Sequence, residues 1–240
     1  FQKEKEGHAS ANQCRNTDLP LLFAYFSGRM RNLKPIRHLQ LPVFAVCLLV
    51  GCGLQAQSYQ WKKGAKAFQK ELNRQYRDPE DSPLDSLDRI AFKRHDFFSI
   101  SKDFCVPVTF IRTPDELPFE MPTVSGKTKT FVQYGELHFT LNGRRDTLYA
   151  YQNIKLAENP AYAEDLFIPF KDHTSGEEAY GGGRYIDWKI PKSAAAVLDF
   201  NVCYNPYCAY STGWNCPIPP QENYVDSKVL AGVKAWKGGH

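Results

Sequence analysis

The chain has 240 residues, 14% of them aromatic, and its 30 Lys/Arg against 26 Asp/Glu give a formal charge of +4. Residues 1–56 hold seven of the basic and three of the acidic side chains, so residues 57–240 carry 23 of each sign. A neutral body with no long basic run in sequence argues against nucleic acid as a partner, and it is long enough for one domain with a proper core.

Residues 1–29 read as material upstream of a true start at Met30. Arg31, Lys34 and Arg37 then precede an apolar run, Leu41 to Leu54, of the length of a signal peptide rather than a bilayer span. Two processing routes stay open. Leu54-Gln55-Ala56 suits cleavage after Ala56, whereas Leu49-Val50-Gly51-Cys52 has the form of a lipobox, with a leader to residue 51 and Cys52 lipidated. An uncleaved anchor or core helix is the bland rival. The expectation is an exported protein, periplasmic or secreted, touching a membrane only through such an anchor, with one mostly-β domain over 57–240.

Trp61, Ala65, Phe68, Leu72 and Tyr76 recur at helical spacing and predict an amphipathic helix over 60–77, stopped at Asp78-Pro79. In the connector after it, Ser82-Pro83-Leu84 reads as a turn docking one leucine. From residue 97 the period becomes two. FFSI at 97–100, CVPVTFIRT at 105–113, and the long stretch 128–153 read as strands, and Asn142-Gly143 marks a tight hairpin. Pro107 predicts an edge strand or a bulge. LFIPF, RYIDW and AVLDF add three short strands. One helix and then a run of strands predict an antiparallel meander closed into a β-barrel or a β-sandwich.

Special residues concentrate between 164 and 224. Asp172 and Thr174 sit in a turn after a strand, where Asp172 reads either as a general base or ligand anchor or as an Asx-turn acceptor. Gly181, Gly182 and Gly183 ahead of Arg184 allow a backbone nest that, with the guanidinium, grips an anion; the structural alternative pairs Arg184 with Asp187 or Asp199. Asp199, Asn201 and Asn205 can converge on the same place, Asp199 being the second candidate base and the asparagines either substrate anchors or loop pins. The tyrosines around Cys208 either stack on a sugar or fill a core.

Four cysteines lie beyond the leader: Cys105, Cys203, Cys208 and Cys216. Of the three complete pairings, the Cys208–Cys216 bridge ranks first because the two are close in a loop rich in Pro and Asn. No zinc spacing occurs, and His95, His138 and His173 are scattered, so neither a metal nor another cofactor is expected.

The chain resembles the bacterial domain of unknown function family 1684, in the form exported by Bacteroidetes-type bacteria. The resemblance spans roughly residues 58–236. Its carriers are Phe167-Ile168-Pro169-Phe170, Asp172 to Gly176, Tyr180 to Tyr185, Asp199-Phe200-Asn201, Asn205 to Tyr210, Cys216 to Pro220 with Asn223, and Ala231-Gly232. It implies a compact mostly-β domain and no known activity, and it leaves Cys105 and Cys203 as the less certain pair. His173 stands where the motif is permissive and Cys203 where a small residue is expected, which argues against a catalytic role for either. The leading expectation is a ligand-binding envelope domain with Asp172, Thr174, Arg184, Asp199, Asn201 and Asn205 around a small anionic or polyhydroxylated ligand. A hydrolase or lyase with an Asp base, and a disulfide-pinned structural envelope module, are the alternatives.

Overall fold

The computed structural model describes the backbone of residues 43–238 and the side chains from Gln60. Residues 1–29, most of the leader and the side chain of Cys52 therefore lie outside the described residues.

Helix α1 (Val43–Arg77) contains the expected amphipathic stretch. Ala65, Phe68, Leu72 and Tyr76 are buried on one face, each of the larger ones contributing roughly 1.5–3 kcal/mol on burial. Leu84 docks into the same cluster, as the turn predicts. A short helix α2 (Ser86–Ala91), capped by Asp85 accepting from the Asp88 amide, was not expected.

The strands are β1 (Cys105–Arg112), β2 (Phe119–Pro122), β3 (Thr128–Leu141), β4 (Arg144–Asn153), β5 (Asp165–Asp172), β6 (Arg184–Lys189), β7 (Ala195–Asp199) and β8 (Tyr224–Val225), with a one-turn helix α3 (Ile154–Ala157) after β4. The hairpin falls where it was expected, with Asn142 at φ 50° and Gly143 at φ 79°. Both values are those the tightest hairpin turn demands.

The sheet order is β6-β5-β4-β3-β1-β7, with β2 paired to β3 and β8 lying parallel to β5. Consecutive β6 and β7 thus occupy opposite ends of the sheet while only residues 190–194 connect them. Five residues reach at most ~18 Å, so the sheet must curl until its ends approach. The Trp188 indole N–H donates to the Val197 carbonyl at 3.2 Å across that gap, joining β6 to β7 by a side chain instead of a ladder. The result is a mostly antiparallel, curled half-barrel around Leu137, Leu148, Leu166, Ile168, Phe170, Leu198 and Phe200. The sandwich alternative falls, because every main strand belongs to one continuous path.

Two strand readings need correction. FFSI is no strand: Phe97 makes an isolated bridge to Val233, and the Phe98 amide donates to the Gly232 carbonyl at 2.9 Å. Its alternation reflects an extended segment docking on the C-terminal tail, with no sheet neighbour. Pro107 is on an interior strand, but pairing of β1 with β3 starts only at Val108, so at Pro107 the strand has β7 alone as neighbour. Proline is tolerated there because one side of the chain is locally an edge.

Candidate functional site

Strand β5 ends at Asp172, and the chain turns back on itself at once. Asp172 Oδ2 accepts from the Thr174 amide at 3.1 Å, and the Ser175 amide donates to the Asp172 carbonyl at 3.0 Å, which is an Asx-type turn. The chain re-enters the sheet through Gly183, whose φ is +92°. A Cβ there would lie 2.6 Å from the Phe170 carbonyl and 2.8 Å from Pro219, so both the conformation and the space require glycine. Its amide donates to the Tyr180 carbonyl at 3.0 Å, so that N–H of the suggested anion nest is spent inside the turn. Gly181 packs on Gly176.

Arg184 then opens β6 opposite Phe170. Its side chain is completely buried, as is that of Asp172, and the two are joined at 3.1 Å. The guanidinium also donates to Thr174 Oγ1 at 3.2 Å, to the Val229 carbonyl at 2.9 Å and to the Ala231 carbonyl at 2.5 Å. Asp172 Oδ2 takes the Val229 amide at 2.8 Å. The charged pair thus satisfies the peptide groups of a tail that has no strand beside it. The ion-pair partner is Asp172, not Asp187 or Asp199. Asp187 instead accepts from the Tyr204 hydroxyl at 2.8 Å.

Asn201 and Asn223 obey a common rule. The Asn201 carboxamide accepts from the Ser101 amide at 3.0 Å and donates to the Ser101 carbonyl at 2.9 Å. Asn223 treats Tyr149 in the same way, accepting from its amide and donating to its carbonyl, each at 2.9 Å, and also reaches the Pro169 carbonyl at 2.7 Å. Each carboxamide copies one residue of a neighbouring strand. Asn223 does so where β4 and β5 share only the Tyr151–Phe167 pair. Asn205 ties the Lys234 carbonyl at 2.9 Å and the Tyr210 hydroxyl at 3.3 Å.

Asp199 accepts from the Asn201 amide at 2.9 Å and its carboxamide at 2.7 Å, yet burial outweighs those bonds and raises its pKa. A carboxyl whose folded pKa lies above its unfolded one adds stability at low pH and loses it as pH rises through the folded value. Asp199→Asn is therefore expected to raise the melting temperature at pH 7, with a gain that shrinks on acidification; melts of both proteins at pH 4 to 8 check it, and a pH-independent difference would contradict it.

Cys208 and Cys216 are bridged, with Cα atoms 6.4 Å apart. Cys203 keeps a buried thiol, 3.4 Å from the Ala231 carbonyl, and burial pushes its pKa up to about 11. Such a thiol is inert.

The loop closed by the bridge reaches the connector after α1. Ser211 Oγ donates to the Pro83 carbonyl at 2.5 Å, and the Trp214 indole N–H donates to Ser211 Oγ at 2.8 Å. Between them lies an open cleft of about 490 Å³ lined by Ser82 to Asp85 and Ser211 to Trp214. Trp214 is half-buried and meets the Tyr207 ring edge-on at 4.8 Å. Thr212 and Asp85 are exposed at its rim. Neither Trp214, Thr212 nor Asp85 stood out in sequence, because 126 positions separate the two halves of the cleft; the turn and the cysteine loop were legible, their meeting was not. Among the described residues no cluster of three or more His, Cys, Asp or Glu is arranged to hold a metal.

These features define a single-sheet, curled half-barrel domain whose signature polar residues are buried in its frame. The chain belongs to the family described as protein of unknown function (DUF1684), whose model matches residues 90–234. It is also similar to the solution NMR structure of an uncharacterized protein of Haloarcula marismortui, at 28% identity and a TM-score of 0.59, over 75% of this chain and 96% of that one. No curated protein matches it.

Proposed function

We propose that this chain is an exported cell-envelope domain that binds a small polyhydroxylated ligand in the cleft between residues 82–85 and 211–214. The observation that carries the reading is that cleft itself. It offers the half-exposed Trp214 ring, braced by Tyr207, as a stacking face, and the hydroxyl of Thr212 and the carboxylate of Asp85 as hydrogen-bonding groups. Asp85 at the rim favours a neutral sugar-like ligand over an anion. The Arg184 network is then the frame that holds the loops, since both terminal guanidinium nitrogens are already committed to Asp172, Thr174 and two tail carbonyls, and Nε, though without a partner, is buried away from any opening. Asp172, with both carboxylate oxygens engaged, offers little as a general base. Export is supported by the basic, apolar and small-residue order of the leader, with cleavage after Ala56 or lipidation at Cys52, and by a disulfide that suits an oxidising compartment.

The test is a thermal-shift and tryptophan-fluorescence screen of the oxidised protein against mono- and oligosaccharides, nucleotides and organic acids. A saccharide is expected to raise the melting temperature of the parent, by about 2.7 kcal/mol of stabilisation at a hundredfold excess over Kd, and to have no effect on Trp214→Ala. A shift that survives in Trp214→Ala would move the site elsewhere. No shift with any class would favour the disulfide-pinned structural module, the reading that the complete burial of Arg184 supports.

A further inference from the structure

The basic residues of α1 are not spread around the helix. At 100° per residue, Lys62, Lys63, Lys66, Lys70, Arg74 and Arg77 fall within an arc of roughly 120°, on the flank beside the buried Ala65–Phe68–Leu72–Tyr76 stripe. Within α1 from Gln60 onward the only acid is Glu71, which lies outside the arc. Arg74, at the margin of the arc, is held by Glu71 at 2.7 Å and Asp78 at 3.5 Å. The four lysines are exposed and make no salt bridge among the described residues. Arg77 ends the face: its guanidinium donates to the Lys93 carbonyl at 3.2 Å, which brings the segment carrying exposed Lys93 and Arg94 beside the end of the helix. The body is neutral as a whole, so along α1 this is a local concentration of one sign, which ends at Asp78, Glu80 and Asp81 directly after the helix.

Such a face repels itself and gains nothing from packing, so it calls for an anionic counterpart. Two observations point to a bilayer surface. The same helix runs back without a break through the apolar stretch from Leu54 to Val43, so a chain that keeps this segment, or a lipid on Cys52, carries the basic face directly beside the headgroups. Next to it α2 holds Leu87 and Ile90, at i and i+3, each 80% exposed, which are side chains suited to the headgroup–acyl boundary.

We propose that the basic face of α1, with Lys93 and Arg94, docks the domain on an anionic phospholipid surface. The partner is the bilayer itself, read by charge and not by headgroup identity. The full chain is tested in sedimentation with phosphatidylcholine vesicles and with vesicles in which a third of the lipid is phosphatidylglycerol, beside the variant Lys62→Glu/Lys66→Glu/Lys70→Glu. The leader contributes to both vesicle types, so the informative quantity is the ratio of the two affinities.

Each basic residue near the surface adds to the attraction, so the parent should prefer the anionic vesicles by more than about a hundredfold at low salt, and the triple variant should lose that preference. Because all three positions are exposed, the variant should melt with the parent. If it does not fold, the salt series on the parent decides alone, since the preference must fall steeply between 50 and 500 mM NaCl. A ratio near one, or a ratio that salt and the triple variant leave unchanged, overturns the proposal. Tight binding of heparin without any vesicle preference would overturn it too, assigning the face to a soluble polyanion.

Discussion

Arg184→Met is expected to destabilise the domain by about 3–5 kcal/mol, the range for removing one partner from a buried ion pair. Against a total stability of roughly 5–15 kcal/mol this is a loss that denaturant unfolding reads without ambiguity. The methionine fills most of the volume, so the cost lies in what is left behind. Asp172 becomes a fully buried carboxylate without its cation, and the Val229 and Ala231 carbonyls lose their donors. Adding Asp172→Asn to Arg184→Met should recover part of the loss, because the stranded charge is removed while an oxygen remains for the Thr174 and Val229 amides. A single variant as stable as the parent would mean that the pair is not part of the frame, and would return the guanidinium to the candidate ligand-binding groups.

Acid should weaken the domain through His95. The residue is 2% exposed and lies in a box of rings, with Tyr76 at 4.3 Å, Phe92 at 5.0 Å, Phe97 at 5.6 Å and Tyr210 at 5.7 Å between centroids. Asn73 Oδ1, which can only accept, lies 2.9 Å from His95 Nδ1 and fixes the proton there. Nε2 is buried without a hydrogen-bond partner, and burial lowers the pKa from 6.5 to about 3. Below pH 6.5 the unfolded chain takes up a proton that the folded one refuses. The contribution is therefore complete above pH 6.5 and is lost as pH falls toward 3, by about 1.4 kcal/mol per pH unit and about 4–5 kcal/mol in all. Urea unfolding at half-unit steps from pH 7 to 4 checks this, with His95→Phe as the reference that lacks the proton site. Carboxylates titrate in both proteins, so the difference between the two slopes isolates His95. Parallel slopes would mean that the imidazole reaches water.

These two residues mark the limit of what the primary structure reveals. Arg184 was legible as a special residue: it comes directly after three glycines and opens a strand. Which acid it meets was not, because Asp172, Asp187 and Asp199 all stand within reach in sequence, and the choice was made by Gly183 delivering the chain opposite Phe170 and by the tail crossing behind it. His95 gave no sign at all. Nothing around it in sequence marks it as buried, since the rings that enclose it come from α1, from its own segment and from residue 210.

Strands β1 and β3 to β7 and the α1 stripe were readable because their signals are local. Alternation at period two, helical spacing at Phe68, Leu72 and Tyr76, and the positive φ demanded at Asn142-Gly143 each depend on neighbours a few positions away. FFSI failed for the same reason turned around: extended backbone looks alike whether it joins a sheet or lies on a tail.

Legible in the residues alone were the α1 stripe, the strands β1 and β3 to β7, the hairpin and the cysteine pair that closes the 208–216 loop, all of which derive from short-range sterics, hydrophobic periodicity and loop length; α2, α3, β2 and β8 were not. The tertiary structure alone decided that the sheet curls without closing, that Asn201 and Asn223 stand in for strand backbone, that Arg184 is frame, and that Trp214 and Asp85 share a cleft. Those outcomes depend on contacts between residues as many as 128 positions apart, such as Ser211 with Pro83. Such contacts are selected by the packing of the whole chain, and no local preference encodes them.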